Sequence, residues 1–222
     1  MNESENKNFN ELDFKRDTIY WNKYYEKSAS MKKPSLFAKF VYENYLTADS
    51  ELLELGCGNG RDSLYFISKG LKVTAIDASD FVINELIAVS KNTDAKFVCG
   101  DFVDSDLIYS AKYDWCYSRF SVHAISEPQE NTLLDNVKNS LKRGGKFFVE
   151  VRSINDPIYG KGISVGKNSF IYNDHFRRFI DKNEFEKKLL AKGYTVEYSE
   201  ESTAFAPFGN EKPPVIRVVA SI

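Results

Sequence analysis

The chain has 222 residues, of which 42% are hydrophobic and 28% are charged, and its formal net charge is -2. This length can bury one sizeable core but is short for two enzyme-sized domains, and a weakly negative chain lacks the basic field typical of nucleic-acid binding. No apolar run is long enough to span a membrane, and the three cysteines form neither a CxxC pair nor an even disulfide set. We therefore predict one cytoplasmic domain without membrane insertion, a nucleic-acid partner or a metal site.

The N-terminal part of the chain precedes the main pattern of strands and helices. Residues 1–13 are rich in Asn, Glu and Ser, have no clear period and lack the apolar core of a signal peptide, so they are predicted to be flexible. Residues 14–222 are predicted to form the single domain. Within it, 14–46 carry two helical patterns split near Pro34, which predict a helical lid.

From Glu51 onward, strand and helix patterns alternate, which is typical of an α/β fold with a parallel sheet. The predicted strands are 51–55, 71–77, 95–99, 113–118, 146–151, 194–198 and 215–222, and the predicted helices are 60–69, 80–91, 128–141 and 181–193. The seventh strand follows the sixth without a helix between them, so we predict that it pairs antiparallel. After Val151 the pattern breaks for about thirty residues, a length that indicates a functional loop over residues 152–180.

The most informative segment is the glycine-rich turn between the first strand and the first helix of this alternating region. A dinucleotide-binding turn has glycines at its first, third and sixth places. Here glycines occupy the first, third and fifth places, Gly56, Gly58 and Gly60, and the sixth is Arg61. Glu54 lies just before the turn and suits a ligand with an ammonium group, which points away from NAD. The alternative is a purely structural turn.

Two acidic residues follow the next two strands. Asp77 ends the second strand, where a carboxylate can accept hydrogen bonds from both hydroxyls of a ribose. Asp101 follows the third strand and could accept from an adenine amino group, with Phe102 adding an apolar contact. Taken singly, each acid is as readily a helix cap or a turn residue. Together with the glycine turn they indicate a nucleoside-containing cofactor.

This pattern resembles the class I S-adenosylmethionine-dependent methyltransferases over roughly residues 51–151. The resemblance implies a Rossmann-like fold with a seven-stranded, mostly parallel sheet, a reversed last strand and helices on both faces, and it implies S-adenosylmethionine as cofactor. It assigns the glycine turn to the methionine part, Asp77 to the ribose and Asp101 to the adenine. The predicted cofactor contacts are Tyr20, Tyr24, Glu54, Gly56, Gly58, Asn59, Gly60, Arg61, Asp77, Ala78, Asp101, Phe102 and Ser118. Segments 34–38, 117–120, 123–125 and 175–179 are similar to bacterial methyltransferases associated with surface-polysaccharide biosynthesis.

Methyl transfer from a sulfonium requires an aligned acceptor, and a hydroxyl acceptor gains from a general base. His123, just past the fourth strand, is the candidate base, although a capping or core histidine is an equal alternative. Arg119 is predicted to steady an anionic acceptor or the cofactor carboxylate. The predicted catalytic residues are therefore His123 and Arg119.

Basic side chains concentrate in segment 152–180 although the chain is slightly negative overall. Guanidinium groups match phosphate and carboxylate oxygens. The predicted acceptor contacts are Tyr25, Arg119, Arg152, Tyr159, His175, Arg177 and Arg178. We predict methylation of a small anionic or phosphorylated acceptor, preferably on oxygen and in capsule or surface-polysaccharide modification. The alternatives are N-methylation of a small metabolite, a cofactor-binding regulatory subunit, and a solvated basic surface in place of an acceptor site.

Overall fold

A computed structural model of the chain describes residues 18–26, 33–110, 112–173 and 175–222, so the prediction for 1–13 lies outside the described residues. Residues 18–26 are helical and are called α1. The other helices are α2 (Leu36–Asn44), α3 (Arg61–Ser68), α4 (Asp80–Val89), α5 (Asp106–Ser110), α6 (Glu127–Ser140) and α7 (Lys182–Ala191), with a 3-10 turn at Val122–Ala124. In these ranges no helix combines the length and the apolar character that crossing a bilayer would need.

The strands form two sheets. They are β1 (Glu51–Leu55), β2 (Lys72–Asp77), β3 (Lys96–Cys99), β4 (Tyr113–Arg119), β5 (Leu141–Arg152), β6 (Ile163–Gly166), β7 (Ser169–Tyr172), β8 (His175–Arg178), β9 (Thr195–Ser202) and β10 (Val215–Ser221). The larger sheet has the order β3-β2-β1-β4-β5-β10-β9. Strand β10 pairs antiparallel with both β5 and β9, so it is reversed relative to the other six strands of this sheet. This confirms the predicted mostly parallel sheet with a reversed last strand.

Helices cover both faces of the seven-stranded sheet, as predicted. One face packs against α2, α3 and α4 through a cluster that includes Phe37, Phe66 and Leu86. The other face packs against α6 and α7 through Leu133 and Leu189. Since β1 is buried on both sides, its near-continuous apolar sequence fits the centre of a parallel sheet. The strand order reverses between β1 and β4, so loops at their carboxyl ends diverge and leave a crevice.

Two predicted boundaries differ from the structure. The predicted helix 128–141 ends at Ser140, and β5 begins at Leu141 rather than at 146. The strand includes the Gly144–Gly145 pair, and its pairing with β4 is irregular near Tyr113. A Cβ atom on Gly145 would lie 2.8 Å from the Lys142 carbonyl oxygen, so this irregular start requires glycine. The five-residue helix α5 was not predicted, because it is too short to show a helical period.

The prediction of a loop over 152–180 is wrong in part. The segment contains a separate three-stranded antiparallel sheet with the order β6-β7-β8. Each strand has only four residues, which is too short for a clear alternating pattern. Asn168, with a φ of 54°, lies in the turn between β6 and β7. Strand β8 packs against the 3-10 turn that follows β4, so the small sheet lies beside the crevice of the large one.

Candidate active site

A cavity of about 570 Å³ opens at the carboxyl edge of the large sheet. Its walls come from α1, the turn after β1, the end of β2, the loop after β4 and the connection between β9 and β10. The lining residues are Trp21, Tyr24, Tyr25, Glu54, Gly56, Cys57, Gly58, Asn59, Arg61, Asp62, Asp77, Ala78, Phe102, Arg119, Phe120, Ser121, Ala124 and Phe208. Small-molecule sites of doubly wound folds lie at this position, where the strand order reverses.

The glycine turn exposes its backbone to the cavity. Gly56 and Gly58 have φ angles of 74° and 52°, which side-chain-bearing residues rarely adopt. A Cβ on Gly56 would lie 2.3 Å from the Ser121 hydroxyl oxygen, and one on Gly58 would lie 2.4 Å from the Tyr25 hydroxyl oxygen. The absence of a side chain at these positions therefore lets Ser121 and Tyr25 pack directly against the backbone of the turn.

Three buried carboxylates, Glu54, Asp62 and Asp77, line the cavity on this side. Asp77 accepts hydrogen bonds from the backbone N–H groups of Gly58, at 2.8 Å, and Ser79, at 2.9 Å. Asp77 therefore fixes the glycine turn as well as facing the cavity.

The other two carboxylates tie α3 to its surroundings. Asp62 accepts from the backbone N–H of Ser35 at 2.7 Å and from the Tyr117 hydroxyl at 2.9 Å. Glu54 accepts from the hydroxyl of Ser63. Burial, reinforced by the charge of Asp62, raises the pKa of Glu54 well above its ordinary value. Burial also raises the pKa of Asp77. A cationic ligand would favour the ionised form of both groups.

Helix α1 closes one side of the cavity. Trp21, Tyr24 and Tyr25 line it, and burial raises the pKa of Tyr25 well above the ordinary range of a phenol. Tyr20 lies one turn before Tyr24 on the same helix and stacks on His175 of β8, with ring centroids 4.4 Å apart. Helix α1 therefore contacts both the glycine turn and the small sheet.

The cavity lining also contains a cation, Arg119, that a buried carboxylate holds. Arg119 lines the cavity, and its Nε donates to Glu150 at 2.8 Å. The Nε of Arg217 donates to the second oxygen of Glu150 at 2.7 Å. Because one carboxylate serves two guanidinium groups, the triad taken by itself carries a net positive charge.

Phe120 follows Arg119 and has a φ of 60°, an unusual conformation for a bulky residue. Such strain costs on the order of 1–3 kcal/mol and persists only where the surroundings enforce it. The Phe120 N–H donates to the Glu150 carbonyl at 2.8 Å. The guanidinium carbons of Arg119 and Arg152 lie 4.3 and 5.8 Å from the centre of its ring. The strained backbone thus presents an aromatic ring to the cavity between two cations.

His123 is buried behind this wall and does not line the cavity. Its Nδ1 accepts a long hydrogen bond, 3.5 Å, from the backbone N–H of Arg152, which assigns the ring proton to Nε2. Burial, followed by the charges of Arg152 and His175, lowers the pKa of His123 well below its ordinary value. A neutral, weakly basic imidazole with Nδ1 already engaged is suited to positioning, and its role as a base stays a prediction.

The three arginines of segment 152–180 have different surroundings. Arg152 pairs with Asp156 at 2.5 Å, and buried Arg178 pairs with Glu130. Arg178 also donates to carbonyl groups of the 3-10 turn region, so its role is to hold the small sheet in place. Arg177 is half-buried and forms no ion pair with any residue the structure describes. Burial, assisted by the charge of Arg152, lowers the pKa of Arg177, which indicates a cation short of compensating negative charge.

Several predicted site residues lie outside the lining of the cavity. They are Tyr20, Gly60, Asp101, Ser118, His123, Arg152, Tyr159, His175, Arg177 and Arg178. Asp101 accepts from the Val103 N–H at 2.8 Å, and Tyr159 donates to Asn168 at 2.9 Å, so each has a local structural contact. The Ser118 hydroxyl is buried in β4 without a hydrogen-bond partner among the described residues. Their ligand contacts remain predictions.

Sequence reasoning missed part of the lining. The missed residues are Trp21, Cys57, Asp62, Phe120, Ser121, Ala124 and Phe208. Asp62 adjoins the glycine turn, so its position in the motif was an available signal. Phe208 lies in a connection between the last two strands, and no local pattern marks it.

Comparisons with known proteins agree with this architecture. Residues 52–145 match a family model described as a methyltransferase domain. An uncharacterized methyltransferase from Schizosaccharomyces pombe is 27% identical over 192 residues, which are 82% of this chain and 73% of that protein. A methyltransferase structure from Methanosarcina mazei is similar with a TM-score of 0.70 and 19% identity, covering 82% of this chain and 96% of that one.

A second solved structure is 1,6-didemethyltoxoflavin-N1-methyltransferase from Burkholderia thailandensis, with S-adenosylhomocysteine bound. It has a TM-score of 0.69 and 19% identity and covers 100% of this chain and 90% of that one.

The residues around the cavity fit S-adenosylmethionine. Its ammonium and sulfonium charges suit a lining that contains the carboxylates of Glu54, Asp62 and Asp77. The glycine turn, Glu54, Asp62 and Asp77 all lie within residues 52–145, the part of the chain that is similar to methyltransferase domains.

Proposed function

We propose that the chain transfers a methyl group from S-adenosylmethionine to an oxygen atom of a small, anionic acceptor. The observation that carries this proposal is the pair of cations beside Phe120, which lines the cavity. Arg119 lines the cavity itself, and the guanidinium carbons of Arg119 and Arg152 lie 4.3 and 5.8 Å from the centre of the Phe120 ring. Positive charge beside the acceptor would bind an anionic group and lower the pKa of a nearby hydroxyl.

S-adenosylmethionine supplies, when bound, an electrophilic methyl group on a positively charged sulfur. The chain's own residues then align the acceptor and exclude water. Helix α1 covers the cofactor side with Trp21, Tyr24 and Tyr25, and Arg119 faces the acceptor side. An acceptor oxygen forms its bond to the methyl carbon as the carbon–sulfur bond breaks, and the bonding electrons pass to sulfur. For a hydroxyl acceptor, His123 is the predicted recipient of the proton.

Replacing Arg177 by glutamine is expected to raise the KM for the acceptor at least about tenfold, because a charged hydrogen-bonding partner is lost. The affinity for S-adenosylhomocysteine should be nearly unchanged. The assay follows S-adenosylhomocysteine formation with hydroxylated acids, phosphorylated sugars and nucleotide-linked sugars, each beside an uncharged counterpart. Phosphorylated sugars are included because the sequence predicts a role in surface-polysaccharide modification.

Lys161→Gln is the matched control, since Lys161 is an exposed cation of the same segment. It should leave the KM unchanged. Equal turnover of charged and uncharged compounds, with equal KM values for both variants, would contradict an anionic acceptor.

Cofactor affinity is expected to increase as the pH rises above the ordinary range of a carboxyl group. Burial, reinforced by the charge of Asp62, raises the pKa of Glu54 in the free protein, so this carboxyl ionises at a higher pH than an exposed glutamate does. A cation binds the ionised form more tightly, and binding therefore releases protons. Without ligand, a carboxyl whose folded pKa is raised contributes stability that is lost with increasing pH. The ligand-induced rise in Tm should consequently grow with pH.

Calorimetry with S-adenosylmethionine in buffers of different ionisation enthalpy measures the released protons directly. Glu54→Gln should weaken binding and flatten its pH dependence. Glu197→Gln, near the amino end of β9, should leave both the affinity and its pH dependence unchanged. A wild-type affinity that does not vary with pH would show that Glu54 does not interact with the cationic part of the ligand.

N-methylation is the second candidate, since the similar Burkholderia thailandensis structure is named an N1-methyltransferase. A nitrogen nucleophile gains positive charge as its bond to the methyl group forms. The guanidinium groups of Arg119 and Arg177 would oppose that charge, which favours oxygen. NMR of a product labelled with a ¹³C-methyl group distinguishes the two, because the methyl chemical shift differs between oxygen and nitrogen attachment.

A further inference from the structure

We propose that the acceptor carries a planar, unsaturated ring beside its anionic group, and that Phe120 and Phe208 form the surface against which this ring lies. The inference deepens the proposed function and rests on it. Both side chains line the cavity. The two residues are far apart in the sequence: Phe120 lies in the loop after β4, and Phe208 lies in the connection between β9 and β10.

Phe208 is held at the cavity by the structure of its own connection. Phe208 and Glu211 exchange two backbone hydrogen bonds of 2.9 Å each, and Gly209 between them has a φ of 56°. The same connection is tied to β10, because Arg217 donates to the Phe205 carbonyl at 3.0 Å and its guanidinium carbon lies 4.2 Å from the Phe205 ring. These contacts give the segment around Phe208 a defined position.

The Phe208 side chain nevertheless remains 66% exposed. When a ligand covers an exposed apolar ring, water is removed from apolar surface, and this burial favours binding. An aromatic ligand binds more tightly than its buried area alone would predict, because offset and edge-to-face contacts between rings are favourable. Phe208 therefore favours an unsaturated ring at the outer part of the cavity.

Phe120 supplies the inner contact and connects it to the charged wall. Its left-handed backbone conformation directs the ring between Arg119 and Arg152. A ligand ring placed against Phe120 would bring a carboxylate or phosphate substituent beside these guanidinium groups. A saturated ring of the same size would bury a similar apolar area but would lack the ring–ring contribution. The two phenylalanines and the adjacent arginines thus select for a ring and an anion together.

Phenyl phosphate and cyclohexyl phosphate test this proposal, because they have the same charge and similar size but differ in ring unsaturation. Each is titrated by calorimetry into the full chain saturated with S-adenosylhomocysteine. We expect phenyl phosphate to bind about three- to tenfold more tightly. The preference should disappear in Phe208→Ala and persist in Phe208→Tyr. Leu190→Ala, which removes an exposed apolar side chain on α7, should leave it unchanged.

Equal binding of the two phosphates, or a preference that persists in Phe208→Ala, would overturn the proposal. So would the absence of binding by both compounds up to about 10 mM. The preceding titration with S-adenosylhomocysteine separates these results from a failure of the proposed function. If S-adenosylhomocysteine does not bind, the result contradicts the proposed function and not specifically the ring-binding surface.

Discussion

Replacing Glu150 by glutamine is expected to lower the free energy of unfolding by about 3–5 kcal/mol, the cost of breaking a buried ion pair by removing one partner. Glu150 is fully buried between the guanidinium groups of Arg119 and Arg217. Glutamine keeps the size of the side chain but removes the charge that compensates both cations. Urea unfolding of the two proteins measures the difference, and the denaturant slope checks that the unfolding transition remains comparable.

Glu197→Gln is the control for this variant, because Glu197 pairs with Lys146 but is 32% exposed in its side chain. Exposed pairs contribute about 0–1 kcal/mol. The position of Arg119 should also change in Glu150→Gln, so the KM for an anionic acceptor should increase. A loss of stability no larger than that of Glu197→Gln would show that Arg119 and Arg217 do not depend on the shared carboxylate.

Replacing Asp77 by asparagine is expected to weaken S-adenosylhomocysteine binding about ten- to a hundredfold, the effect of losing hydrogen bonds to a charged group. Asp77 lines the cavity at the end of β2, and its carboxylate also accepts from the Gly58 and Ser79 N–H groups. Calorimetry measures the affinity, and a thermal unfolding curve shows whether the turn itself has been disturbed. Asp135→Asn, on an exposed side chain of α6, serves as control.

A comparison of adenosine with 2',3'-dideoxyadenosine isolates the proposed contact with the ribose. The wild-type chain should prefer adenosine, whereas Asp77→Asn should bind both nucleosides similarly, because the coupling between the carboxylate and the hydroxyls has been removed. If the variant keeps the full preference for adenosine, Asp77 shapes the turn without contacting the ribose.

The sequence by itself determined the architecture and the position of the cofactor side. The alternating periods of 3.6 and 2 residues are local properties, so they located all seven strands of the large sheet. The carboxyl ends of parallel strands meet at one edge, which is why the turn after β1 and Asp77 after β2 could be placed together before the fold was known. The turn and the acid lie within a single strand–helix–strand unit, so only α3 and β2 separate them along the chain.

Only the tertiary structure decided which residues surround Arg119 and complete the lining of the cavity. Arg119 is held by Glu150, 31 residues away, and Glu150 is shared with Arg217, a further 67 residues along the chain. Phe208 reaches the cavity from between β9 and β10, and Arg178 is withdrawn from it by a buried pair with Glu130. These contacts depend on which strands become neighbours and on how loops return over the sheet. Hydrophobic periodicity reports the face of a single element, so it contains no information about such pairings between distant segments.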